Sequence, residues 1–121
     1  MANGTQRDAI RVNAQFTITK DRLIEVQAIK SRMIQHARGS TAAVFDVFLS
    51  QDRNHLYVSM HVENSGALES LMLEIGPDLE QLEGPAKLNK LQIFGDLTDP
   101  LKKALAQFEP EFFSDREGID R

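Results

Sequence analysis

The side chains able to move a proton, hold a metal or act as a nucleophile are few in this chain and widely spaced. It has three histidines and no cysteine, so thiolate chemistry, disulfides and cysteine-ligated metals are excluded. His36 falls in the last turn of a helix predicted from apolar spacing, where a cation suits the negative end of the helix dipole. His55 opens a predicted strand beside a polar turn and is expected to be solvated. His61 is more interesting, because strand parity puts it on one face with Tyr57 and Ser59, and Asp46 lies on the same face of the adjoining strand. A His61–Asp46 pair could shuttle a proton; more often such a pair is a hydrogen-bonded polar contact within an interface. No two histidines have the i, i+4 spacing of helical metal ligands, so no metal is expected. Glu63, Glu69, Glu74, Glu80 and Glu83 track the exposed side of a helix and its continuation and read as a solvated face. Gly76-Pro77 and Gly84-Pro85 punctuate helices and fit no phosphate loop. No serine has the neighbours of a nucleophile.

The elements that must position these residues follow from periodicity. Ile10, Val12, Ala14, Phe16 and Ile18 alternate with polar residues, the period of a half-buried strand. Thr19 is placed to cap a helix whose buried face is Leu23, Val26, Ile29 or Lys30, Met33 and Ala37; Arg38-Gly39 ends it, with the glycine free to take positive φ. Ala43 to Leu49 and Leu56 to Val62 alternate across the polar turn 50–54, which predicts a hairpin. Asn64-Ser65 caps a second helix carrying Ala67, Leu68, Leu71, Met72 and Ile75. Gly76-Pro77 is expected to break it, with a short helical piece from Asp78 to Leu82 beyond. A fourth strand spans roughly Leu88 to Phe94, and Asp99-Pro100 opens a last helix with aspartate at its cap. The order β-α-β-β-α-β plus a terminal helix predicts an α+β, ferredoxin-like fold, with both main helices on one face of a four-stranded sheet.

Size and composition set the frame for these elements. A chain of 121 residues, 41% hydrophobic and 26% charged, is expected to form a single domain over 1–121 with one core. Residues 1–8 and 114–121 are expected to be tails, flexible or docked on a partner. The net charge of −4 supplies no basic footprint for nucleic acid or a membrane surface. The polar start MANGTQRD lacks the apolar run of a signal peptide. With the absence of cysteine, this predicts a cytoplasmic protein.

The two sheet faces differ. One is almost wholly apolar and must lie under the helices. The other sets Val44, Phe48, Tyr57 and Phe94 beside Asn13, Gln15, Asp46, Ser59, His61 and Gln92. Three aromatics with no helix to cover them predict an interface, with Phe48, Tyr57 and Phe94 at its centre and a second copy of the chain as the partner. Phe112-Phe113, in an otherwise charged tail, is expected to dock on something.

The run FDVFLSQDRNHLYVSMHVENSGALESLMLEIGPDLEQL, followed by LNKLQIFGDLTDPLKKAL, resembles the antibiotic-biosynthesis-monooxygenase-like proteins, and the quinol-monooxygenase branch most. Phe45-Asp46-Val47, the Glu63-Asn64-Ser65 cap, Gly76-Pro77 and Ile93-Phe94-Gly95 carry the resemblance, which covers most of the chain after Gly39. It implies a homodimeric α/β barrel whose subunits each hold a pocket between sheet and helices. It further implies oxidation of quinol-like or polycyclic aromatic molecules by oxygen, with no bound metal, flavin or other cofactor. The positions where many relatives carry a strand glutamate, an aromatic and a helix histidine align with Met60, Val62 and Leu71. All three are apolar, so the usual acid–base groups are replaced. The implied pocket is greasy, lined by Val12, Phe16, Phe45, Met60 and Leu71. A non-catalytic homodimeric barrel that binds a small molecule, or has only a structural role, is the alternative. A tautomerase-like enzyme using His61 is a third reading.

Overall fold

The computed structural model describes residues 9–40, 42, 44–114 and 117–118. Alternation produces the first strand, β1 (Ile10–Ile18), whose buried residues are Ile10, Val12, Ala14, Phe16 and Ile18. Helix α1 (Leu23–Arg38) buries Val26, Ile29, Met33 and Ala37, the stripe its spacing predicts. The hairpin strands are β2 (Val44–Leu49) and β3 (His55–Val62), and helix α2 runs Ser65–Leu82. Strand β4 (Ala86–Phe94), helix α3 (Asp99–Leu105), a 3-10 turn over Ala106–Phe108 and a short strand β5 (Glu111–Phe113) complete the chain.

The sheet order is β2-β3-β1-β4-β5, with β5 parallel to β4 and the other neighbours antiparallel. The ferredoxin-like α+β fold is therefore as predicted, with one strand more than predicted, and the sheet of the single chain is open. The addition comes from the expected docking of Phe112-Phe113. These residues pair along β4 opposite Ile93 and Phe94, and the rings of Phe94 and Phe113 stack at 4.8 Å. The expected tail 1–8 and residues 115, 116 and 119–121 lie outside the described residues.

Local signals decide the structure in some places and are overridden in others. Asn64 caps α2 as predicted, its Oδ1 accepting from the Ala67 N–H at 2.8 Å. Thr19 does not cap α1; its hydroxyl donates to the Gly84 carbonyl at 2.7 Å and so ties β1 to the turn before β4. Gly39 has φ −80 and needs no glycine freedom. The N-cap of α3 is Thr98, one residue before Asp99. Helix α2 is not broken at Gly76-Pro77 but runs through it. A mid-helix proline costs on the order of 3 kcal/mol. Burial of Ile75, Asp78 and Leu82 around it offsets that cost, since packing of an apolar stripe outweighs propensity.

The core lies between the helices and the inner sheet face, formed by the alternate residues of β1 and β3 with Ala86, Leu88, Leu91 and Ile93 of β4. Strict alternation could not put Leu88 and Leu91 on one side. The register against β1 shifts between Gln15 and Phe16, so β4 carries one extra residue, a β-bulge, which re-aims its side chains.

Candidate functional site

The bulge lies beside a partly open apolar space. A cavity of about 130 Å³ is lined by Val12, Ala14 and Phe16 of β1, Met60 of β3, Leu68, Met72 and Leu79 of α2, Leu88, Leu91 and Ile93 of β4, and Leu105 and Phe108 beyond, with Glu83 at the end of α2. Its floor is the central strand, where Ala14 stands opposite Val58 and Leu91. A small side chain there, flanked by larger ones at Val12 and Phe16, leaves room that α2 does not fill. Helix α3 and the 3-10 turn wall the remaining side through Leu105 and Phe108. The C-terminal segment thus builds the site as well as extending the sheet.

Of the residues expected to line a pocket, Val12, Phe16 and Met60 do. Leu71 is fully buried in the core, and Phe45 is half-buried on β2; neither belongs to this lining. The remaining liners are Ala14 of β1 and residues of α2, β4 and the C-terminal segment, with Glu83. The only sequence signal for them was the apolar spacing that also marks ordinary core. Met60, Val62 and Leu71 are all buried, and Glu83, an exposed residue, is the one titratable group on the cavity wall among the described residues.

His61 and Asp46 share the open face but are not cross-strand partners. Val44 and Arg11 stand opposite His61, and Ser59 stands opposite Asp46. Among the described residues no hydrogen bond or ion pair joins them. Burial, and then the Arg11 charge, hold the His61 imidazolium below its ordinary pKa, with Asp46 acting in the other direction. The aromatics expected at an interface are there: Phe48 is 55% exposed and Tyr57 38%, and their rings lie 6.3 Å apart. Phe94 is half-buried under Phe113. His55 is half-buried at the start of β3.

A different histidine meets an aspartate, a contact that no spacing in the sequence announces. His36 sits in the last turn of α1, as expected, and its Nδ1 lies 2.6 Å from Asp78 Oδ2. Asp78 is 2% exposed, the one charged residue buried among the described residues. This pair staples α1 to α2, and neither residue lines the cavity. Among the described residues no group of three or more His, Cys, Asp or Glu could hold a metal, and no helix is long and apolar enough to cross a membrane.

No family model matches the chain, and no curated protein matches it by sequence. Solved structures do match its fold. MupZ from Pseudomonas fluorescens superposes with a TM-score of 0.82 at 15% identity, covering 93% of this chain and 94% of that one. Since β4 ends at Phe94, a match of that extent takes in part of the C-terminal segment that walls the cavity. SnoaB from Streptomyces nogalater, a cofactor-independent oxygenase, gives a TM-score of 0.62 at 13% identity over 77% of this chain and 98% of its own. A conserved protein from Methanosarcina mazei gives 0.65 at 14% identity over 79% and 99%. The chain has the fold of these proteins.

Proposed function

We propose that this is a monooxygenase-like protein, an oxidoreductase by lineage, that binds one flat apolar ring, quinol-like in kind, in the cavity between α2, α3 and the β3-β1-β4 part of the sheet. The observation that carries this reading is the cavity itself, about 130 Å³ with a nearly continuous apolar lining. A dry apolar cavity of about 150 Å³ takes up benzene, so one ring fits, and a polycyclic molecule must extend beyond the lining. The fold shared with a cofactor-independent oxygenase supports the same direction. An oxygenase that works without a cofactor takes a proton from an electron-rich substrate; Glu83, the titratable residue among the cavity's described lining, is our candidate for that step.

The alternative, a non-catalytic homodimeric module, is favoured by those three buried apolar side chains. Both readings include a second copy of the chain on the open sheet face, supported by the exposure of Phe48, Tyr57 and Val44. The test is a thermal-shift titration with phenol, hydroquinone and 1-naphthol, on protein whose mass in solution has been measured. A single-ring ligand at a hundred times its Kd is expected to stabilise the fold by about 2.7 kcal/mol. No saturable shift from any of the three would overturn the binding reading. Oxygen uptake with a binding quinol separates the enzyme from the module, and a monomeric mass would overturn the dimer.

A further inference from the structure

The inner cavity has a neighbour. Leu88, Leu91 and Phe108 line both it and a second cleft of about 370 Å³, whose other lining residues are Asn89, Lys90, Glu109 and Glu111. Two features of the chain create this second space. The bulge turns Leu88 and Leu91 inward while Asn89 and Lys90 remain exposed. Glu109, in the left-handed region at φ 53, turns the chain out of the 3-10 helix and into β5, which brings Glu111 alongside. The two spaces have opposite character and share a rim of three apolar side chains.

The charges of the outer cleft are unequal. Lys90 Nζ lies 4.0 Å from Glu111 Oε1, so its charge already has a carboxylate partner. Glu109 in the cleft and Glu83 at the cavity rim have no ion-pair partner among the described residues. An anionic group entering here meets a net negative surface, whereas hydroxyl or amide groups find both donors and acceptors.

We propose that the ligand is amphipathic: one apolar ring in the inner cavity, a short saturated chain crossing the rim at Leu88, Leu91 and Phe108, and an uncharged hydroxyl or amide head among Lys90, Glu109 and Glu111. This rests on the inner cavity being the ligand site, and it adds the class of molecule that site takes. The chain buries methylenes against the rim, each tightening binding about fourfold when fully covered. The head exchanges hydrogen bonds with water for hydrogen bonds with the cleft, for a net gain of about two- to tenfold.

The experiment compares toluene, 4-phenylbutan-1-ol and 4-phenylbutanoate by ligand-observed NMR titration of the full chain. The alcohol is expected to bind at least about tenfold tighter than toluene. At low ionic strength the carboxylate should bind at least about threefold weaker than the alcohol, a gap that salt narrows. The double variant Glu109→Gln/Glu111→Gln is expected to narrow the same gap and leave toluene binding unchanged. Equal affinities for toluene and the alcohol would overturn the proposal while leaving the inner site intact. A carboxylate that binds as well as the alcohol, or a gap untouched by the double variant, would overturn the assignment of the head. Failure of toluene itself to bind would overturn the underlying reading of the cavity, and this proposal with it.

Discussion

Ala14→Leu tests the cavity directly. Ala14 is buried on the central strand and faces the space, so a larger side chain there grows into the void rather than into packed neighbours. The space, about 130 Å³, is partly open, so the gain comes from the apolar area that the new side chain covers. Three added carbons would return about 2.4 kcal/mol if fully accommodated, less whatever off-rotamer strain they incur. The net expectation is a gain of about 1–2 kcal/mol, or about 4–8 °C in Tm for a domain of this size. Urea unfolding measures the first quantity and calorimetry the second. The same protein should lose the stabilisation given by phenol or hydroquinone, because the leucine occupies the ring's position. A variant that is destabilised by more than about 1 kcal/mol, yet still shows the wild-type ligand shift, would refute both the volume estimate and the location of the site.

Three further outcomes follow from particular contacts. His36→Ala leaves the Asp78 carboxylate buried without its partner and should cost about 1–3 kcal/mol, more than Asp78→Asn does, when both are measured by urea unfolding. Gly95 has φ +122, and a Cβ there would lie 2.8 Å from the Ala9 carbonyl oxygen. Gly95→Ala should therefore destabilise by about 1–3 kcal/mol and loosen the Gly95 N–H bond to the Phe113 carbonyl, 2.8 Å long; faster proteolysis near β5 would report it. The lowered pKa of His61 means that the unfolded chain binds more protons than the folded one just below pH 6.5. Its contribution makes stability rise with pH up to about that value and fall as the solution is acidified. His61→Gln should remove this component, and an NMR titration of the imidazole should show the lowered pKa moving up in Arg11→Gln.

The sequence by itself determined the elements and the faces. Period-two alternation in β1 and β3 and the period-3.6 stripe of α1 depend only on which residues must leave water, so they were legible without a partner in view. The order of those elements then determined the ferredoxin-like fold. What the sequence could not decide were outcomes settled by competition between distant groups. Gly76-Pro77 carries a strong local stop signal, but the apolar residues on either side dock on the same core and keep α2 whole. Thr19 has a capping side chain, yet the Gly84 carbonyl, brought near by β4, takes its hydroxyl. The bulge that sends Leu88 and Leu91 to one side arises from the register against β1, and no periodicity within β4 announces it.

The candidate site follows the same division. Val12, Phe16 and Met60 were legible as inward-facing residues of strands. The void they border was not, because a cavity is the difference between the space the elements enclose and the volume their side chains fill. That difference exists only once β1, α2, β4 and the C-terminal segment have taken up their distances. The pairing of His36 with Asp78 likewise joins residues on two helices whose packing alone brings them within 2.6 Å. The sequence named the side chains available for chemistry and the faces they occupy; the tertiary structure decided which of them meet, and where space was left over.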